Sequence, residues 1–133
     1  MDNVDNFKTI AFATGLQDAQ GDHINIVKTI EEFFQVKTHI VRVNTPNNFQ
    51  TDKDSVRELK EYAEGSGIKD YEIRVYNDVT EEEGIMHFAD EIDADLIVMA
   101  THGRKGLAHL IAGSIAEEVV NHSKRPVMTF SMK

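Results

Sequence analysis

The sequence has no cysteine among its 133 residues. Disulfides, thiolate metal sites and cysteine nucleophiles are excluded. No oxidising compartment is required, and a cytoplasmic home is the simpler reading. No apolar run approaches the roughly 20 residues that a membrane-spanning helix needs. The opening residues Met1 to Asn6 are polar and acidic, without the basic start and apolar core of a secretory signal. Basic residues are scarce: 14 Lys and Arg stand against 23 Asp and Glu, for a net charge of −9. Such a chain repels a nucleic acid unless its basic groups cluster. One small cluster exists at Arg104-Lys105, with Lys124-Arg125 further on. It suits a few phosphates of a small ligand and makes a poor nucleic-acid track. Catalytic signatures are also missing. No Gly-Lys-Ser/Thr is present for a Walker A loop, and only Gly15 follows the first apolar run, where a dinucleotide fingerprint needs several glycines. The six histidines, at 23, 39, 87, 102, 109 and 122, include no HExxH pair, which argues against a zinc hydrolase.

What is present is a regular alternation. The length fits one domain with a real core. The chain has no internal repeat, low-complexity stretch or linker, so residues 1–133 read as a single domain behind a polar leader, residues 1–6. Lys8 to Thr14 is a short apolar strand closed by Gly15. Ile26, Val27, Ile30, Phe33 and Phe34 mark one face of a helix. Thr38 to Val43 is rich in β-branched residues and ends at a turn-rich Asn44-Thr45-Pro46-Asn47-Asn48, a second strand. Asp52 to Glu64 has helical spacing and is stopped by Gly65-Ser66-Gly67. Tyr71 to Tyr76 alternates as a third strand. Thr80 and Glu83 form a capping-box pattern ahead of a further helix. Asp95 to Ala100 is the most apolar strand and so a central one, followed by a glycine-containing loop from Thr101 to Gly106. Ser114 with Glu117 repeats the capping pattern, and Pro126 to Phe130 is a last strand whose proline suits a strand start or a sheet edge. The order β-α-β-α-β-α-β-α-β predicts an α/β fold, a parallel sheet with helices on both faces.

Open parallel sheets bind ligands beyond the carboxyl ends of their strands, where the strand order reverses. With the order 3-2-1-4-5, that crevice lies between the first and fourth strands, bordered by Ala13-Thr14-Gly15 and by Ala100 to Gly106. Periodicity alone leaves the order open. Gly103 and Gly106 let backbone approach a ligand closely, and Gly113-Ser114 opens a helix whose free N–H groups favour phosphate. The same glycines also suit an ordinary loop, and the serine an ordinary cap. His102 and His109 flank the loop, as a general base or as solvated loop histidines. Ser114 lacks a nucleophile-elbow context. Glu81-Glu82-Glu83 reads as a plain helix start.

The stretch from Ala94 through Ala100-Thr101-His102-Gly103-Arg104-Lys105-Gly106-Leu107, continued by Gly113-Ser114-Ile115-Ala116-Glu117 and Arg125-Pro126-Val127, resembles the hallmark of the universal stress protein family. The resemblance covers almost the whole chain. It implies a three-layer, open, parallel five-stranded sheet of order 3-2-1-4-5, Rossmann-like and of the adenine nucleotide alpha hydrolase type. ATP-binding members carry Gly, two residues, Gly, nine residues, Gly-Ser/Thr; Ala100, Gly103, Gly113 and Ser114 stand at that spacing, with alanine for the first glycine. Members also hold the nucleotide with residues after the first strand, typically Pro-Thr-Asp; this chain has Ala13-Thr14-Gly15 and lacks the acid. That loss removes a hydrogen bond worth about 1 kcal/mol, roughly fivefold to tenfold in affinity. The implied nucleotide-binding set is Ala13, Thr14, Gly15, Val43, Met99, Ala100, Gly103, Gly113, Ser114 and Ile115. The implied ligand is ATP or AMP, with Mg²⁺ if ATP. Asn44 to Phe49 and Tyr76-Asn77-Asp78 are similar to the second domain of tandem universal stress proteins. The family's usual dimer pairs the last strands, here Val127, Met128, Thr129 and Phe130. The resemblance therefore implies a nucleotide-binding, dimeric stress-response module without robust turnover. The alternatives are an interaction or dimerisation domain that binds no nucleotide, favoured by Gly15, and a very slow ATPase with water held by His102. Neither a nucleic acid nor a membrane is an expected partner.

Overall fold

The computed structural model describes residues 8–13, 31–32, 35–47, 49–102 and 117–132. Five strands, β1 (Thr9–Ala13), β2 (Lys37–Asn44), β3 (Tyr71–Asn77), β4 (Leu96–His102) and β5 (Val127–Met132), form one sheet. Every pairing is parallel, and the order is β3-β2-β1-β4-β5. The expected 3-2-1-4-5 arrangement is what folds. β1 holds the middle, and the most apolar strand, β4, lies inside the sheet beside it.

The helices follow from local chemistry. Thr51 caps α1 (Asp52–Ser66), its hydroxyl accepting the Asp54 N–H. α1 runs through Gly65 and stops only at Gly67, whose φ of 83° needs a residue without a Cβ. Thr80 caps α2 (Glu81–Ile92) by accepting the Glu83 N–H over 3.2 Å, the pairing that the Thr80–Glu83 spacing predicts. Three glutamates in the first turn of α2 oppose the positive end of the helix dipole. Its other end is capped by Asp93 at φ 54°, a left-handed position that aspartate tolerates better than most residues.

The path of the chain decides which face each helix covers. A right-handed crossover from β2 outward to β3 puts α1 on one face; the return from β3 to β4 puts α2 on the other. Leu59 and Ala63 of α1 pack with Ile10, Phe12, Ile40 and Val98. Ile85, Phe88 and Ala89 of α2 pack with Ala11, Val41, Val43, Ile97 and Met99, joined by Val119 from the helical residues 117–122. The result is three layers. Alternate residues of each inner strand are buried on opposite faces, as a sheet covered on both sides requires. Phe88 is fully buried, which alone contributes about 2–3 kcal/mol.

Two expectations change. Thr101 and His102 continue β4 rather than starting a loop, because β5 is long enough to pair them with Ser131 and Met132. Arg125 does not join a phosphate-binding cluster. It lies at the amino end of β5, donating to the Asp90 and Asp93 carboxylates at 3.1–3.2 Å and to the Ala94 carbonyl at 2.6 Å. A strand of this length separates it from the carboxyl end of the sheet by about 20 Å. The helix face at Ile26 to Phe34 and the Ser114–Glu117 cap lie outside the described residues, apart from the helical residues 31–32.

Candidate functional site at the carboxyl end of the first strand

The site begins with a register lock at the other end of the sheet. Asp95 Oδ2 accepts the N–H groups of Lys8 and Thr9 at 2.8 and 3.0 Å, and the Asp95 N–H donates to Thr9 O at 2.8 Å. These bonds fix β4 against β1, so that Ile10 faces Leu96 and Ala13 faces Met99. On the other side Ala13 faces Val41. The described part of β1 reaches Ala13, β2 is described on through Arg42, Val43 and Asn44, and β4 through Ala100, Thr101 and His102.

An open parallel sheet offers a crevice beyond the carboxyl ends of its strands, and the crevice here is the notch at Ala13, between the carboxyl ends of β2 and β4. It sits where the order reverses, since the chain leaves β1 toward β2 on one side and β4 lies on the other. Among the expected ligand residues, the structure brings Ala13, Val43, Met99 and Ala100 to this end. The side chains of Ala13, Val43 and Met99 belong to the apolar cluster on the α2 face. Val43 and Met99 are buried. Thr14, Gly15, Gly103, Gly113, Ser114 and Ile115 lie outside the described residues.

Val43 has a specific neighbour. A Cβ placed on Gly84 would stand 2.5 Å from Val43 Cγ1 and 3.2 Å from the Cβ of Asp78. The bare backbone of Gly84 is what lets α2 lie this close to the end of β2.

The α1 face of the same end carries a polar network that the sequence reading passed over. Arg42 and Asn44 are buried, and Arg42 Nη1 donates to Asn44 Oδ1 over 2.6 Å. Asn44 Oδ1 also accepts the Gln50 N–H, and Asn44 Nδ2 donates to Gln50 O, both at 2.9 Å. The Gln50 side chain accepts from the Ser55 hydroxyl at 2.8 Å. Arg42 stands one residue beyond the level of Ala13, so a buried positive charge lies beside the end of β1. A clue was available: in a strand covered on both faces, a charged side chain must be buried and partnered.

Asp78 and His87 complete this edge. The Asp78 N–H donates to Asn44 O at 2.9 Å, and Asp78 Oδ2 meets His87 Nδ1 at 2.7 Å. The hydrogen bond lowers the Asp78 carboxyl below its ordinary range and raises the His87 imidazole above its own. Among the described residues no cluster of three or more His, Asp or Glu could hold a metal ion, and no helix is long and apolar enough to cross a membrane.

The fold and this notch define the class: an open, parallel α/β module with a crevice at the strand-order reversal. Residues 4–131 match the universal stress protein family, and the chain belongs to that family. It is 36% identical over 76 residues to the universal stress protein MJ0531 of Methanocaldococcus jannaschii, a match covering 57% of this chain and 44% of that relative. The chain spans about half the length of the curated relatives it matches, 44–49% for two from that organism. Solved structures share the fold. A universal stress protein in complex with cAMP has a TM-score of 0.74 at 23% identity, covering 96% of this chain and 98% of that one. One from Archaeoglobus fulgidus in complex with dAMP has a TM-score of 0.65 at 21% identity, with the same coverage, 96% and 98%.

Proposed function

We propose that the chain binds an adenine nucleotide, ATP or AMP, in the notch at the end of β1, and acts as a dimeric stress-response module without robust turnover. The observation that carries this reading is the place of Ala100, one residue beyond the Ala13–Met99 pair at the reversal of strand order. Ala100 stands at the head of the sequence spacing Ala100, Gly103, Gly113-Ser114, which resembles that of the family's phosphate loop. The phosphates sit on the amides of Gly103, Gly113 and Ser114, where a helix start supplies free N–H groups. The adenine lies between β1 and β2 beside Ala13, Thr14 and Val43. The cAMP and dAMP complexes of relatives support a nucleotide ligand. If the nucleotide is ATP, Mg²⁺ accompanies it on the phosphates. The absence of cysteine and of a spanning helix among the described residues fits a cytoplasmic home.

The dimer forms through β5, the sheet edge beyond β4. Met128 is exposed on it, and an apolar edge strand needs cover. The experiment for the nucleotide is mass analysis of small molecules released from the native protein on denaturation. Release of ATP or AMP in near-stoichiometric amount is the expected result.

A second reading rests on Gly15, which replaces the family's adenine-side acid. Under it the crevice binds no nucleotide and the domain serves as an interaction module. Protein that carries no nucleotide and takes up none at millimolar concentration would favour that reading.

A further inference from the structure

Two large apolar side chains stand out in water at one place. Phe49 and Val79 are 71% and 70% exposed. Phe49 precedes Gln50, whose backbone is bonded on both sides to the Asn44 side chain. Val79 follows Asp78, whose N–H is held by Asn44 O. One buried residue thus pins both loops, and Asn44 faces Asn77 across neighbouring strands. Phe49 and Val79 therefore share the rim above β2 and β3. This rim is independent of the nucleotide reading, and it lies three strand spacings, about 14 Å, from β5.

Among the described residues, the charge around them has one predominant sign. Both helices that start at this rim carry acidic first turns, Asp52 and Asp54 in α1 and Glu81, Glu82 and Glu83 in α2. Asp54 is engaged by Arg57 at 3.0 Å, and Lys53 is exposed between the two aspartates; the carboxylates still outnumber the cations. An exposed apolar pair in such a rim selects its partner by charge complementarity. A second copy would bring acid against acid. Anionic lipid and nucleic acid are repelled for the same reason.

We propose that this rim docks a basic, amphipathic segment of a partner protein, with its apolar residues on Phe49 and Val79 and its Lys or Arg residues toward Asp52, Glu82 and Glu83. The probe is a fluorescent peptide of lysine and leucine, compared with a lysine–serine peptide of equal charge, by polarisation against the full chain. The parent is expected to prefer the leucine peptide by about tenfold or more, as apolar anchors at an interface centre do. Phe49→Ser with Val79→Ser should abolish that preference and leave the lysine–serine affinity unchanged. Glu82→Gln with Glu83→Gln should weaken both peptides. Phe49 and Val79 are exposed, so the double variant is expected to keep the parent's circular dichroism and urea midpoint. Equal binding of the two peptides by the parent, or a leucine preference that survives in a folded Phe49→Ser/Val79→Ser chain, would overturn the proposal.

Discussion

Arg42 donates a 2.6 Å hydrogen bond to the side chain of Asn44, and both residues are buried at the carboxyl end of β2. Asn44 also clasps the backbone of Gln50 with two further side-chain bonds. It therefore ties a buried charge to the loop that leads into α1. Replacing it with alanine leaves the Gln50 N–H and the Arg42 Nη1 without this acceptor, and the Gln50 carbonyl without this donor. Asn44→Ala is expected to lower stability by about 2–4 kcal/mol. Urea unfolding checks it: the midpoint should fall with the slope unchanged. A midpoint at the parent's value would show that the network carries no stability.

Gly84→Ala tests how closely α2 approaches the sheet. The added methyl gains up to about 1 kcal/mol of helix propensity. It also meets Val43 Cγ1 at 2.5 Å, and overpacking of this kind costs about 1–3 kcal/mol. The net expectation is a loss of about 1–2 kcal/mol. Adding Val43→Ala should recover part of the clash, so the double-mutant cycle should show favourable coupling. A more stable Gly84→Ala chain would mean that the helix sits further out.

Two histidines give stability opposite pH slopes. His39 lies partly buried on the sheet with its ring against Phe88 at 6.2 Å, and burial lowers its pKa from the ordinary 6.5 despite Glu72 nearby. Below 6.5, and down to its folded value, the unfolded chain holds a proton that the folded chain does not. Stability attributable to His39 is therefore complete above 6.5 and falls as the solution is acidified. His87 is raised above 6.5 by its bond to Asp78. Its contribution is complete below 6.5 and is lost as pH rises through the folded value. Urea midpoints against pH should flatten on the acid side in His39→Gln and on the alkaline side in His87→Ala. The reverse assignment would contradict the structure.

Arg125→Met separates stability from binding. It removes donors to Asp90, Asp93 and the Ala94 carbonyl. The two carboxylates are largely exposed and worth little, so the carbonyl bond dominates and the loss should be about 1–2 kcal/mol. Nucleotide affinity should not change, because Arg125 lies at the opposite end of the sheet. A tenfold loss of affinity in a folded variant would return Arg125 to the site.

Much of this fold was legible because periodicity and end signals agreed. Thr80 with Glu83 marked the start of α2, and the β-branched run to Val43 marked β2. The extension of β4 through His102 was not legible: Gly103 next door reads as loop, and the pairing of Thr101 and His102 with Ser131 and Met132 depends on the length of β5. α1 ran past Gly65 because a helix tolerates one glycine at about 1 kcal/mol, and Gly67 alone takes the left-handed turn. The fate of Arg125 depended on strand order, which no local pattern contains. Arg42 was readable in principle, since β2 is covered on both faces, but its partner Asn44 looked like the start of a turn.

The adenine nucleotide proposed for the notch at Ala13 can be sought by calorimetric titration of the native chain with ATP and Mg²⁺. Saturable binding of one nucleotide per chain is expected, weakened by Ser114→Ala by roughly fivefold to tenfold, the value of one hydrogen bond. No saturable heat at millimolar nucleotide, from protein shown to carry none beforehand, would contradict it.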